Sequence, residues 1–177
     1  HEGDLALDSV KSLSDAAAQA LAQHKKGKLD LNGLTSLSDS PGHLALARKV
    51  TRNGNGEGCL EIGDELECLS DAAAQILAQG EGSLRCNELK SLKSLSDSPG
   101  HVALARKLAD HRLEGLTSLG DAAAQALAQC KGDLYLDGLT SLSDATAQAL
   151  AQHEGDLDLS GLTSLSDAAA QALARHE

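Results

Sequence analysis

Leu134-Tyr135-Leu136-Asp137-Gly138-Leu139-Thr140-Ser141-Leu142-Ser143-Asp144 returns 23 residues later as Leu157-Asp158-Leu159-Ser160-Gly161-Leu162-Thr163-Ser164-Leu165-Ser166-Asp167. Each copy runs into an Ala-rich stretch ending Gln-Ala-Leu-Ala. Self-similarity of this kind decides the class of fold before any single residue is weighed. Equivalent starts fall at Leu5, Leu29, Leu60, Leu84, His111, Leu134 and Leu157, seven units spaced by 24, 31, 24, 27, 23 and 23 residues. The wider spacings mark insertions. The chain opens on His1-Glu2-Gly3-Asp4-Leu5, a match to His153-Glu154-Gly155-Asp156-Leu157, and closes where another unit would start. The expectation is a single repeat domain over residues 1–177, excised from a longer repeat protein.

Within each unit the apolar period changes. Leu-x-Leu alternates with period two, which puts both leucines on one side of a short strand. After Ser-Leu-Ser-Asp the period becomes helical, with Leu13, Ala17, Ala20 and Leu21 forming one apolar stripe. Ser12 or Ser14 can cap this helix, and Ser12 with Asp15 fits a capping box. Gly27, Gly132 and Gly155 follow the helical runs as candidate left-handed terminators. His24 and His153 fall in last turns, where a partly positive side chain is favoured.

A strand and a helix in about two dozen residues cannot bury their own leucines, so units must stack. Strands separated by helices must then be parallel, with right-handed crossovers. Composition agrees: 34 Leu and 29 Ala supply nearly all the apolar residues, with no Phe, Trp or Met. Two side-chain sizes suit one packing solution used repeatedly. The predicted fold is α/β: an open right-handed solenoid of about seven strand–helix repeats, with a parallel sheet on one face. In these motifs the chain resembles the leucine-rich repeat family, particularly its short bacterial repeats, over essentially all 177 residues. The resemblance implies a horseshoe-like arc and an Asn three residues after the second leucine of each Leu-x-Leu. That position here holds Val10, Leu34, Leu116, Leu139 and Leu162. Neighbouring Thr and Ser hydroxyls, or water, must satisfy the loop backbone instead.

The net charge of −11 excludes a phosphate-binding surface of clustered Lys and Arg, so no nucleic acid is expected. No apolar run reaches the roughly 18–20 residues that cross a bilayer, so no membrane insertion is expected. Ser38-Asp39-Ser40-Pro41-Gly42-His43, repeated as Ser96-Asp97-Ser98-Pro99-Gly100-His101, holds the residue types of a hydrolase triad. The plainer reading makes Ser40 and Ser98 caps before Pro41 and Pro99, restarting each helix about two residues late. Asn53-Gly54-Asn55-Gly56-Glu57-Gly58 has too few carboxylates for a calcium loop and reads as a connection. Cys59, Cys68, Cys86 and Cys130 contain no Cys-x-x-Cys pair, and free thiols are the first expectation, one disulfide among Cys59, Cys68 and Cys86 the second. His24, His153 and His176 read as surface residues rather than zinc ligands. No metal and no cofactor is expected. Reduced thiols and the lack of a signal core favour the cytoplasm without assigning a compartment.

The residues alternating with the inward leucines should form the exposed strand face. One row is Ala6, Asp30, Glu61, Arg85, Arg112, Tyr135 and Asp158; the next is Asp8, Asn32, Gly63, Asn87, Glu114, Asp137 and Ser160. Of these, Asp30, Asn32, Glu61, Arg85, Asn87, Arg112, Glu114, Tyr135, Asp137 and Asp158 are the candidate binding residues, centred on Arg85, Arg112 and Tyr135. Three functions follow. The first is a non-catalytic scaffold that binds a protein partner through this face; the second is a purely structural spacer; the third, least supported, is a hydrolase. Terminal units with uncovered leucines should either associate end to end or continue into a larger complex.

Overall fold

The structure, a computed structural model, describes residues 3–25, 27–52, 60–62, 65–80, 89–108 and 112–176, the side chains of 50–52 and 60–62 excepted. Strands and helices follow in the order β1 (Leu5–Ala6), α1 (Asp15–Ala22), β2 (Leu29–Leu31), β3 (Ser36–Leu37), α2 (Pro41–Arg52), β4 (Leu60–Ile62), β5 (Cys68–Leu69), α3 (Asp71–Gln79), β6 (Ser94–Leu95), α4 (Pro99–Ala105), β7 (Ser118–Leu119), α5 (Asp121–Ala128), β8 (Leu134–Tyr135), α6 (Asp144–Leu150), β9 (Leu157–Asp158) and α7 (Asp167–Leu173). Each helix packs against the next in sequence. Every described strand pairing is parallel, and the register joins equivalent residues: Leu5 to Leu29 to Leu60, and Leu134 to Leu157. The Leu-x-Leu start of the fourth unit, at Leu84, lies outside the described residues.

One parallel sheet was expected; the described strands form four small ones, β1-β2-β4, β3-β5, β6-β7 and β8-β9. A tight turn after each Leu-x-Leu parts β1-β2-β4 and β8-β9 from β3-β5 and β6-β7. Leu34 N–H bonds Leu31 C=O at 3.0 Å, and Leu116, Leu139 and Leu162 bond Leu113, Leu136 and Leu159 likewise. Such i to i+3 turns bend the chain and split each rung. In four units the split leaves a second short strand before the helix, on Ser36–Leu37, Cys68–Leu69, Ser94–Leu95 and Ser118–Leu119, which the sequence suggested only as a capping region.

The leucines fill the interior. Leu29, Leu31 and Leu34 are fully buried and Leu37 is 1% exposed, as are their counterparts Leu113, Leu116, Leu134, Leu136 and Leu139 to within 1%. The position where the resemblance implied Asn is thus an apolar core position. Threonine takes over the backbone: Thr35 Oγ1 donates to Lys11 C=O at 3.0 Å, Thr117 Oγ1 to Lys93 C=O at 3.1 Å, and Thr163 Oγ1 to Thr140 C=O at 3.1 Å.

Helices this short do not hold by themselves, and each is finished by its neighbours. Ser14, Ser70, Ser143 and Ser166 are N-caps, accepting from Ala17, Ala73, Thr146 and Ala169 N–H. The cap of α1 is therefore Ser14, and the Ser12–Asp15 box is not formed, because Asp15 faces the next unit. Asp15 Oδ1 accepts from Gly42 N–H at 2.6 Å, Asp39 from Ala72 at 3.3 Å, Asp71 from Gly100 at 2.6 Å and Asp97 from Ala122 at 2.8 Å. Asp121 accepts the hydroxyls of Ser143 at 2.5 Å and Thr146 at 2.8 Å, and Asp144 accepts that of Ser166. From α1 to α7, the first turn of every helix after α1 meets a carboxylate from the unit before. These bonds hold Asp121 below the usual carboxylate range, through Ser143 and then Thr146, and Asp71 likewise, through the Ser98 hydroxyl and the Gly100 N–H.

The opposite ends mirror this with donors. Lys49 Nζ donates to His24 C=O at 2.5 Å, Lys107 Nζ to Gly80 C=O, Cys130 Sγ to Ala105 and Arg106 C=O, and His153 Nε2 to Gly132 C=O at 2.7 Å. His153 Nδ1 also faces Ala128 C=O at 3.4 Å. The expectation of a surface histidine fails at His153, which is 3% exposed, because its ring is drawn inward onto these carbonyls. The glycine expectation is corrected too. Gly27 and Gly132 have φ of 82° and 97° and Gly155 does not, and α1 and α5 end before them at right-handed Gln23 and Gln129. The positive φ serves the turn into the next strand, not the helix end.

Leu116→Ala should cost about 2–5 kcal/mol in urea unfolding, whereas Leu165→Ala, at a site 45% exposed, should cost under about 1 kcal/mol. Asp71 and Asp121 lie below the usual value of 3.8 in the folded chain. Their contribution is therefore complete above that pH and is lost as pH falls through the folded values. Asp121→Asn should be less stable than the wild type at neutral pH, and urea midpoints measured down the acid limb should converge below about pH 4.

Candidate functional site

The parallel register brings the predicted face residues into rows. Ala6 pairs Asp30, Asp30 pairs Glu61, Arg112 bridges Tyr135, and Tyr135 pairs Asp158. Arg85, Asn87 and Gly63 lie outside the described residues, as does the side chain of Glu61, so the Arg85 part of the expected centre is not placed. Its other two members meet. The Arg112 guanidinium lies 4.9 Å from the Tyr135 ring centroid, a cation–π distance, while Arg112 Nε donates to Glu114 Oε1 at 2.6 Å. Both partners of that ion pair stay open, their side chains 63% and 38% exposed.

The acids on the face divide in two. Asp30 Oδ1 accepts from Asn32 N–H at 3.1 Å while Oδ2 lies 3.3 Å from Lys28 Nζ, and its side chain is only 17% exposed. Asp158 Oδ1 accepts from Ser160 N–H at 2.9 Å. Both close Asx turns. The Ser160 N–H and hydroxyl hold Asp158 below the usual carboxylate range, with the Arg112 charge adding to them. The signal available in the sequence is an Asp between the two leucines of Leu-x-Leu, two residues before Asn or Ser. Asn32 and Asp137 are half-buried. Asp137 Oδ1 is buried without a hydrogen-bond partner among the described residues.

The Ser–His segments form differently from a triad. Helices α2 and α4 do begin at Pro41 and Pro99, two residues late by register. In the two regular units that follow a late-starting one, the residue before the helix bonds straight to the unit behind: Ser70 N–H to Leu37 C=O at 2.9 Å, Gly120 N–H to Leu95 C=O at 2.7 Å. In the late-starting units an imidazole is inserted into that bond. Ser38 N–H donates to His43 Nδ1 at 3.0 Å and His43 Nε2–H donates to Leu13 C=O at 3.1 Å. Ser96 N–H, His101 and Leu69 C=O repeat it at 3.1 and 3.0 Å. A backbone N–H on Nδ1 places the ring proton on Nε2. The hydroxyls of Ser38 and Ser96 lie 2.9 and 2.7 Å from the same Nδ1 atoms. Each must share a lone pair already engaged by a backbone donor, and the far nitrogen rests on a carbonyl rather than a carboxylate. Both rings are 6% exposed. This geometry positions backbone; it leaves no imidazole lone pair for a serine proton.

Cys68 is an exposed thiol, and Cys59 and Cys86 lie outside the described residues, as does the Asn53–Gly58 loop. Among the described residues no cluster of three His, Cys, Asp or Glu side chains could hold a metal. Sequence reading missed one feature: a groove of about 570 Å³ between α5 and α6, lined by Gln125, Gln129, Gln148, Gln152, Cys130 and Lys131 among others. Its signal was the Gln recurring four residues into each regular helix. No protein-family model matches the chain, and no curated protein matches it.

His101→Ala removes the ring that joins Ser96 N–H to Leu69 C=O and leaves the buried Leu69 carbonyl and the partly buried Ser96 N–H without that partner. It should cost at least about 2 kcal/mol in chemical denaturation, with Ser96→Ala costing much less.

Proposed function

We propose that the chain is a non-catalytic scaffold, an open right-handed solenoid of leucine-rich-repeat type, that binds a protein partner through its strand face. The observation that carries this reading is the Glu114–Arg112–Tyr135 assembly on that face, with Asp158 on the adjoining rung. Arg and Tyr are among the side chains that dominate protein interfaces. Here each is held in place before any partner arrives, so less side-chain freedom is lost on docking. The net charge of −11 favours encounter with a basic surface. The engagement of His43 and His101 by backbone groups supports the non-catalytic part. A spacer role is the second reading, favoured by the use of Asp30 and Asp158 in the chain's own turns.

The test replaces Arg112 and Tyr135 together by Ala. Proteins retained from source-cell extract by the immobilised wild type should be lost from the variant by about tenfold or more, at unchanged thermal unfolding. Equal retention by a folded variant would leave only the spacer.

A further inference from the structure

We infer that the groove between α5 and α6 is a second binding site, which takes an extended, uncharged polypeptide segment and holds it by its backbone. This inference does not rest on the strand-face reading. All nine glutamines of the chain stand at two positions, the fifth and the ninth counted from the aspartate that opens a regular helix: Gln125 and Gln129 from Asp121, Gln148 and Gln152 from Asp144. All nine are exposed, and none of their carboxamides is bonded to another described residue. Leucine, alanine, serine and aspartate recur because the core, the helix spacing and the caps need them. The glutamines recur with no such duty. The groove forms where their rows meet. α2 and α4 carry no glutamine and separate α1, α3 and α5 from one another, whereas α5 and α6 are consecutive regular helices in contact. Gln125 and Gln129 from one and Gln148 and Gln152 from the next line about 570 Å³, a size ordinary for ligand sites.

The spacing fits a strand. Four residues of helix rise about 6 Å, and two residues of extended chain span about 6.6–6.8 Å. Successive glutamines of one helix therefore meet successive residues on one edge of a strand laid along it. Across the groove, packed helices lie about 8–10 Å apart, and the partners on the two edges of a strand lie about 9.6 Å apart, twice the strand spacing. A carboxamide offers one acceptor and two donors. It can take both the N–H and the C=O that a strand residue shows at its edge, as a neighbouring strand does. Four carboxamides engage four consecutive residues, two on each edge. The rest of the lining narrows the occupant. Ala128, Ala145 and Ala149 leave room only for small side chains beneath the strand. Lys131 and Glu154 bring opposite charges just beyond the last turns of α5 and α6. These cancel, so the groove complements an uncharged segment although the chain as a whole is acidic. Cys130 Sγ is turned onto the Ala105, Arg106 and Ala126 carbonyls and does not compete for the backbone.

A library of end-blocked, random-sequence decapeptides passed over the immobilised 177-residue chain is the probe. The wild type and the Arg112→Ala, Tyr135→Ala variant should retain the same peptides. A variant carrying Gln125→Ala, Gln129→Ala, Gln148→Ala and Gln152→Ala, all at exposed sites and checked for unchanged thermal unfolding, should retain them at least about tenfold less. A retained peptide should shift the side-chain amide resonances of these four glutamines in the wild type. N-methylating two alternate residues of that peptide removes donors from one edge and keeps every side chain, and should weaken binding about tenfold. The inference is overturned if the wild type retains no peptide, if the folded glutamine variant retains them equally, or if N-methylation leaves affinity unchanged. Peptides lost instead from the Arg112→Ala, Tyr135→Ala variant would place binding on the strand face and overturn it as well.

Discussion

The fold depends on a carboxylate in one unit receiving the N–H or hydroxyl donors at the start of the next unit's helix. A helix N-terminus leaves orphan N–H groups at the positive end of its dipole. Six aspartates in succession, from Asp15 to Asp144, face such ends. At the other ends Lys49, Lys107, Cys130 and His153 cover orphan carbonyls. Helices of seven to twelve residues gain from their neighbours what their length denies them. Part of the chain's acidity is accordingly structural.

The Pro-Gly-His segments are a second way of making the same joint. A helix that starts two residues late brings its first turn against the aspartate behind it. A Cβ on Gly42 or Gly100 would overlap the backbone oxygen of Asp15 or Asp71, so glycine is required there. The late start also opens the rung, and the imidazole of His43 or His101 fills it, bonded at both nitrogens. Gly120 marks the reverse accommodation, standing where a cap serine would meet the Asp97 carboxylate. What reads as three residues of an active site is one packing device.

This construction separates the surface into parts with different freedom. Inward leucines and the alanines between helices are constrained by volume, since a larger residue at Ala74 or Ala124 would push adjacent helices apart. Asp30 and Asp158 are constrained by their turns. Arg112, Glu114 and Tyr135 have no such duty in the backbone, yet they hold one another in place. Side chains ordered without a structural task are where recognition is best sought.

Local periodicity by itself determined the strand and helix order, the parallel register from Leu5 to Leu29 and from Leu134 to Leu157, and the burial of the leucines. Period two and period 3.6 need only residues a few places apart, so the pattern carries them in full. It also placed Pro41 and Pro99 at helix starts. Tertiary structure decided the partners. A serine at position 12 or 14, or an aspartate that closes a capping box or reaches onward to Gly42, look alike along the chain. The choice is made by a group 27 residues away. The inward turn of His153 and the imidazole-bridged rungs have the same origin: each satisfies a backbone group that only a neighbouring unit brings within reach.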